Sequence, residues 1–143
     1  MIIDKALELA DKQSLTAAAA TASTNTIDFG ADKPDPNLDF GNGRLACVFT
    51  VNTDVTGDVI FKLQDSADGT TFADISATSP GTFKSPKAGT KVVLPIPAHI
   101  RRYLRANFAA DTATSATAIS AGKVSAHVVW GWDDNIPPKG NPL

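Results

Sequence analysis

The sequence predicts an all-β fold, an antiparallel jelly roll or β-sandwich, and three observations predict it. Several short runs alternate apolar and polar side chains with period two, the mark of half-buried strands. Clusters of Gly, Pro, Asp, Ser and Thr separate those runs at short, regular spacing. Only one stretch, Ile2 to Asp11, carries apolar residues at helical spacing (Ile3, Leu7, Ala10), and it is short for a stable helix.

Taken in order, residues 45 to 53 read LACVFTVNT, with Leu45, Cys47, Phe49 and Val51 on one face and Ala46, Val48 and Thr50 on the other. Two largely apolar faces predict a central, well-covered strand. Asp54 to Gly57 supply turn residues, after which Val59, Phe61 and Leu63 alternate with Lys62 and Gln64. The short turn between these runs predicts an antiparallel hairpin. A second turn, Asp65 to Thr70, leads to a short strand around Phe72 to Ile75, and residues 76 to 90 read as loop. Val92, Leu94 and Ile96 then alternate with Lys91, Val93 and Pro95; proline cannot donate a ladder hydrogen bond, so this is an edge strand. From Arg102 to Phe108, Leu104, Ala106 and Phe108 face one way and Tyr103, Arg105 and Asn107 the other. After a polar loop comes the last strand, with Val124, Ala126, Val128 and Trp130 opposite Lys123, Ser125 and His127.

The organisation predicted is an N-terminal arm over 1–23, a sandwich or jelly-roll domain over 24–132 and a Pro-rich tail over 133–143. The arm begins apolar and becomes almost pure Ala, Thr and Ser from Thr16 to Thr24. The tail, DDNIPPKGNPL, is held extended by its prolines and cannot join a sheet interior.

A chain of 143 residues, 43% hydrophobic and 20% charged, is long enough to build its own core without disulfide or metal. The net charge of -2 gives no electrostatic case for nucleic acid or an anionic membrane surface. No apolar stretch approaches the roughly 20 residues of a membrane span, and the opening Met1-Ile2-Ile3-Asp4 lacks the basic start of an export signal. The single cysteine, Cys47, lies in an apolar run and reads as a small buried hydrophobe.

Chemistry is sparse. His99 follows Pro95-Ile96-Pro97-Ala98 at a loop, and His127 sits on the outward face of the last strand; neither lies in a nucleophile or metal motif. Asp65, Asp68 and Asp74 around Gly69 lack the spacing of a calcium loop and read as turn chemistry. Asp32, Asp35 and Asp39 read as an acidic loop, and Gly41-Asn42-Gly43 as a turn before a strand. On a strand, Arg101, Tyr103 and Arg105 share a face, which reads as a solvated outer face or as a patch for carboxylates on a protein partner, and less well as a nucleic-acid stacking platform on a slightly acidic chain. No catalytic residue, cofactor site or metal site is predicted.

Certain segments are similar to a known family. Met1-Ile2-Ile3-Asp4, then Asp11, Gln13, Leu15 and Thr16, then Ser23, Thr24, Asn25, Ile27 and Asp28 resemble the opening of the capsid cement (decoration) proteins of tailed phages of the Bordetella podovirus type. Leu94 to Pro97, Arg102 to Arg105 and Ala121 to Ala126 are similar to later segments, whereas the tail after Trp132 has no counterpart. The resemblance implies a jelly-roll protein on the outer surface of an icosahedral head, associating with itself and bridging major capsid subunits, with no enzymatic activity and no cofactor. Its expected contact residues are Ile2, Ile3, Leu7 and Leu9 in the arm, Arg101, Tyr103 and Arg105 on the strand, and Trp132 and Ile136 at the tail. The rival reading is a carbohydrate-binding sandwich, because Gln64 to Phe72 is similar to the S-x-D-G-x-x-F turn of discoidin-like modules. An enzyme would require His99, His127 and a carboxylate to meet.

Overall fold

The computed structural model describes residues 4–15, 20–31, 45–75, 81–111 and 119–130, with the backbone alone at Trp130. Among them are a 3-10 turn, Lys5–Leu7, and nine strands: β1 (Glu8–Ser14), β2 (Ala20–Ala22), β3 (Ile27–Asp28), β4 (Leu45–Thr56), β5 (Val59–Ser66), β6 (Ala73–Asp74), β7 (Lys91–Pro95), β8 (Tyr103–Ala110) and β9 (Ala121–Trp130). They form two antiparallel sheets, ordered β1-β9-β4-β7 and β2-β8-β5-β6, with β3 also paired to β8. This is the all-β sandwich that the alternation predicts. The acidic loop, the Gly41–Gly43 turn and the tail from Asp133 lie outside the described residues.

Each sheet presents the apolar face read from the sequence. Phe49 and Val51 of β4, Phe61 and Leu63 of β5, Leu104, Ala106 and Phe108 of β8, and Val124 and Ala126 of β9 are all buried between the sheets. Phe49 meets Phe61 and Phe108 across the sandwich, with ring centroids 5.3 and 6.0 Å apart. Phe61 also lies 5.5 Å from Phe83 and 6.2 Å from Phe108, in edge-to-face geometry. Such tilted pairs place a positive ring edge on a negative ring face and add to the gain from burial. Cys47 is fully enclosed, and burial pushes its thiol far above the ordinary range, so it packs as a hydrophobe. Among the described residues β7 is an edge strand paired with β4, and its Pro95 stands opposite Ala46.

Two expectations need correction. The first is the hairpin. β4 pairs with β7 and β9, while β5 pairs with β6 and β8, so the turn at Gly57 carries the chain from one sheet to the other. Both strands gain more by burying Phe49 and Phe61 against each other than by lying side by side.

The second is the arm. Glu8–Ser14 is an integral strand against β9, and Ala20–Ala22 and Ile27–Asp28 lie along β8. Leu9, Ala10 and Leu15 are buried in the core. The Gln13 side chain ties the sheets together, donating to Ala22 O at 2.7 Å and accepting from Thr24 N–H at 2.9 Å. Residues 8–15 and 20–22 therefore belong to the sandwich, and the domain begins well before residue 24.

One close approach is set by glycine. Gly122 in β9 has φ +132°, and a Cβ there would lie 2.7 Å from Val55 Cγ2 and 2.9 Å from Val55 Cα. A backbone atom cannot yield as a flexible side chain does. Gly122→Ala is expected to cost roughly 2–4 kcal/mol from strain and overpacking together. Urea denaturation would measure it, and a cost below about 0.5 kcal/mol would show that the β4–β9 contact relaxes freely.

Candidate protein-binding face

The candidate site is the outer face of the β2-β8-β5-β6 sheet. Alternation along β8 turns Leu104 and Ala106 inward, which leaves Tyr103 and Arg105 outside and half-buried. The register sets Arg105 opposite Gln64 and Tyr103 opposite Ser66. Arg105 Nε donates to Gln64 Oε1 at 2.9 Å, and its guanidinium lies 3.9 Å from the Phe72 ring centroid. Partial burial lowers its affinity for the proton, although an arginine stays charged. Tyr103 packs against Gly69, where an added Cβ would stand 3.3 Å from the ring, and the Arg102 guanidinium sits 4.9 Å from the Tyr103 centroid.

The flanking arginines are clamped. Arg101, which the sequence places on one face with Tyr103 and Arg105, precedes β8 and pairs with Asp65. Its Nε and Nη2 donate to Asp65 Oδ1 at 2.9 and 2.6 Å, and its backbone N–H donates to Asp65 Oδ2 at 2.9 Å. Arg102 grips Asp28 in bidentate fashion, with Nε and Nη2 each 2.7 Å from a carboxylate oxygen. Such two-point pairs fix a guanidinium's orientation as well as its charge. The result is a preorganised strip of arginines and rings, not a set of loose cations.

The nearby acids are spent on the protein itself. Asp74 accepts from Lys62 Nζ at 2.8 Å and Gln64 Nε2 at 2.7 Å. Asp68 accepts the N–H groups of Thr71 and Thr70 at 2.8 and 2.9 Å and the Ser66 hydroxyl at 2.8 Å, closing the turn. Those backbone donors hold its carboxyl well below the usual range. Among the described residues no three metal-ligating side chains converge. The Phe72 and Tyr103 rings, which a sugar would need as stacking platforms, lie against Arg105 and Arg102.

These depressed carboxyls make a pH prediction. The Arg102 guanidinium, with help from Gly30 N–H, holds Asp28 at about 2 against its ordinary 3.8. A carboxyl whose folded pKa is lowered stabilises the fold above its unfolded pKa and loses that contribution as pH falls through the folded one. Thermal melts are therefore expected to be flat from pH 7 to about 5 and to fall between about pH 4 and pH 2. Asp28→Asn should shrink that fall, and an unchanged acid limb would disprove the assignment.

The remaining expected contacts fall elsewhere. Leu7 is half-buried against the core, and Leu9 is wholly inside it, so Leu9 offers nothing to a partner. Ile2, Ile3, Trp132 and Ile136 lie outside the described residues. His99 is exposed with φ +63°. His127 does project from the outer face of its sheet, but it is only 7% exposed, and its Nδ1 has no hydrogen-bond partner. Phe72, which the sequence places at the end of a turn and the start of a short strand, is brought against Arg105 only by the fold.

Comparison with known families matches residues 9–128 to the model of the Bbp16 family. The chain belongs to the Bbp16 family. The match runs from Leu9 in β1 to Val128 in β9, so it takes in both sheets of the Bbp16 sandwich and stops before the tail. The family's name is formed like that of a Bordetella phage protein, which marks the chain as phage-associated. No curated protein matches it. Among the described residues of this Bbp16-family chain, no helix is long and apolar enough to cross a membrane.

Proposed function

We propose that this Bbp16-family protein is a structural virion component that binds the outside of an icosahedral phage head and bridges major capsid subunits, stabilising the shell. The observation that carries the reading is the family match over the whole sandwich. The protein acts by binding alone, without catalysis or cofactor, and its partners are the major capsid protein and further copies of itself, as a homodimer or homotrimer on local symmetry axes. It is made in the host cytoplasm and ends on the outer capsid surface, engaging neither nucleic acid nor membrane.

The outer strip of Phe72, Tyr103 and Arg105 supports this reading. Arginine and aromatic side chains dominate protein-binding energetics because they bury large areas at little entropic cost when already held in place. Symmetric repetition then multiplies a shallow contact over the lattice. The test adds purified protein to expanded heads lacking it and follows co-sedimentation. Saturation at a fixed copy number per head is expected, with Tyr103→Ala/Arg105→Ala weakening binding at least tenfold. Failure to co-sediment, or a strictly monomeric mass by light scattering, would overturn the proposal.

A further inference from the structure

The geometry points to a second contact: a pocket on the outer face of the β1-β9-β4-β7 sheet that receives a single carboxylate side chain of a protein partner. This rests on the reading of the protein as a shell-binding component, and it gives one contact a chemistry. The pocket is a cavity of about 450 Å³ over the middle of that sheet. Its charges come from Lys5, Glu8, Asp11, Lys12 and Lys91. Lys5 Nζ is paired with Glu8 at 2.5 Å, and the field of Asp11 also falls on Lys5. Lys12 and Lys91 are both exposed and have no ion-pair partner among the described residues.

The floor supplies neutral donors. β1 bulges between Ala10 and Gln13, where Lys12 takes φ +45° and its backbone N–H reaches Ser125 Oγ at 2.9 Å. Ser125 in turn donates to Asn52 Oδ1 at 2.7 Å. With its oxygen engaged there, Asn52 keeps its Nδ2 hydrogens for whatever enters the cavity. His127, opposite Glu8 in the register, lines the cavity while more than nine-tenths buried and without a partner for Nδ1. A buried ring nitrogen left without a partner costs stability, and a carboxylate that accepts from the Asn52 amide beside it fills the cavity above this ring.

The count of charges selects the ligand. Two ammonium groups without an ion-pair partner among the described residues, partly offset by Asp11, match one negative charge better than the double charge of a phosphate. Nucleic acid needs a longer basic track than two lysines on a chain of net charge -2. An acidic side chain on the shell protein fits both the charge and the neutral amide donor.

The test has two arms. In the first, N-acetyl-aspartate N-methylamide is titrated into the full chain at constant ionic strength while NMR follows the His127 ring and the Asn52 side-chain amide. Saturable millimolar shifts are expected, and the His127 shift should vanish in Lys12→Glu/Lys91→Glu and in the near-isosteric Asn52→Asp. Absent shifts, shifts that survive in both variants, or inorganic phosphate saturating the same signals at lower concentration would overturn the carboxylate assignment. In the second arm, the same variants are added to heads, with at least a tenfold loss of binding expected at an unchanged melting temperature. Wild-type binding with equal binding by the variants would sink the pocket alone. No binding by the wild-type protein would sink the shell-binding reading and leave the titration to judge the pocket.

Discussion

Phe61→Ala is expected to lower stability by about 3–5 kcal/mol, from lost burial plus the cavity left behind. Phe61 is fully enclosed and touches rings from three directions: Phe49 from the opposite sheet, Phe108 from the neighbouring strand, and Phe83 from the loop beyond β6. Neither Phe49 nor Phe108 can collapse into the void without drawing its strand with it. A domain of this kind holds about 5–15 kcal/mol in all, so the variant should be marginal at 37 °C. In urea the midpoint should fall by about 2 M at an unchanged slope. Phe83→Ala, at a half-buried position, should cost less than half as much. A loss below about 1 kcal/mol for Phe61→Ala would mean that the two sheets do not meet at this ring.

Deleting residues 1–12 is expected to unfold the protein, not merely to release it from a partner. The deletion removes most of β1, with the wholly buried Leu9 and Ala10. It also removes the Leu9 carbonyl that accepts from Asn25 N–H at 2.9 Å. Loss of one buried leucine alone costs about 2–5 kcal/mol, and the bared edge of β9 would invite intermolecular pairing. A melting temperature lower by roughly 10 °C or more, with aggregation, is the expected outcome. Deleting residues 1–4 keeps β1 and should shift the melt by no more than about 2 °C. That shorter deletion removes Ile2 and Ile3, so it tests an N-terminal contact with the head without disturbing the core. If the longer deletion melted like the full chain, β1 would have no place in the sandwich.

Much of the sandwich was legible because strand alternation is local. Val59, Phe61 and Leu63, or Leu104, Ala106 and Phe108, need no knowledge of their partners to declare which face is apolar. Proline's missing N–H likewise placed β7 at an edge. β1 was illegible for an equally local reason: its bulges interrupt the strand period, and Ile3, Leu7 and Ala10 fall instead at helical spacing. The Arg101 to Arg105 segment was found by composition, but its electrostatic state was not. Arg101 is clamped by a residue 36 positions away and Arg102 by one 74 away, and no spacing rule reaches that far.

The sequence by itself determined the all-β class, the inward face of each regular strand, the edge proline and the phage resemblance. Tertiary structure alone decided that β4 and β5 lie in different sheets and that residues 8–15 and 20–22 belong to the sandwich. It also decided that Arg101, Arg102 and Arg105 have partners within the chain and that His127 lines a pocket. The division follows from the physics. Which face of a strand is apolar depends on neighbours two residues away. Which strand it joins, and which charge meets which, depends on free energy gained only when distant segments are packed together.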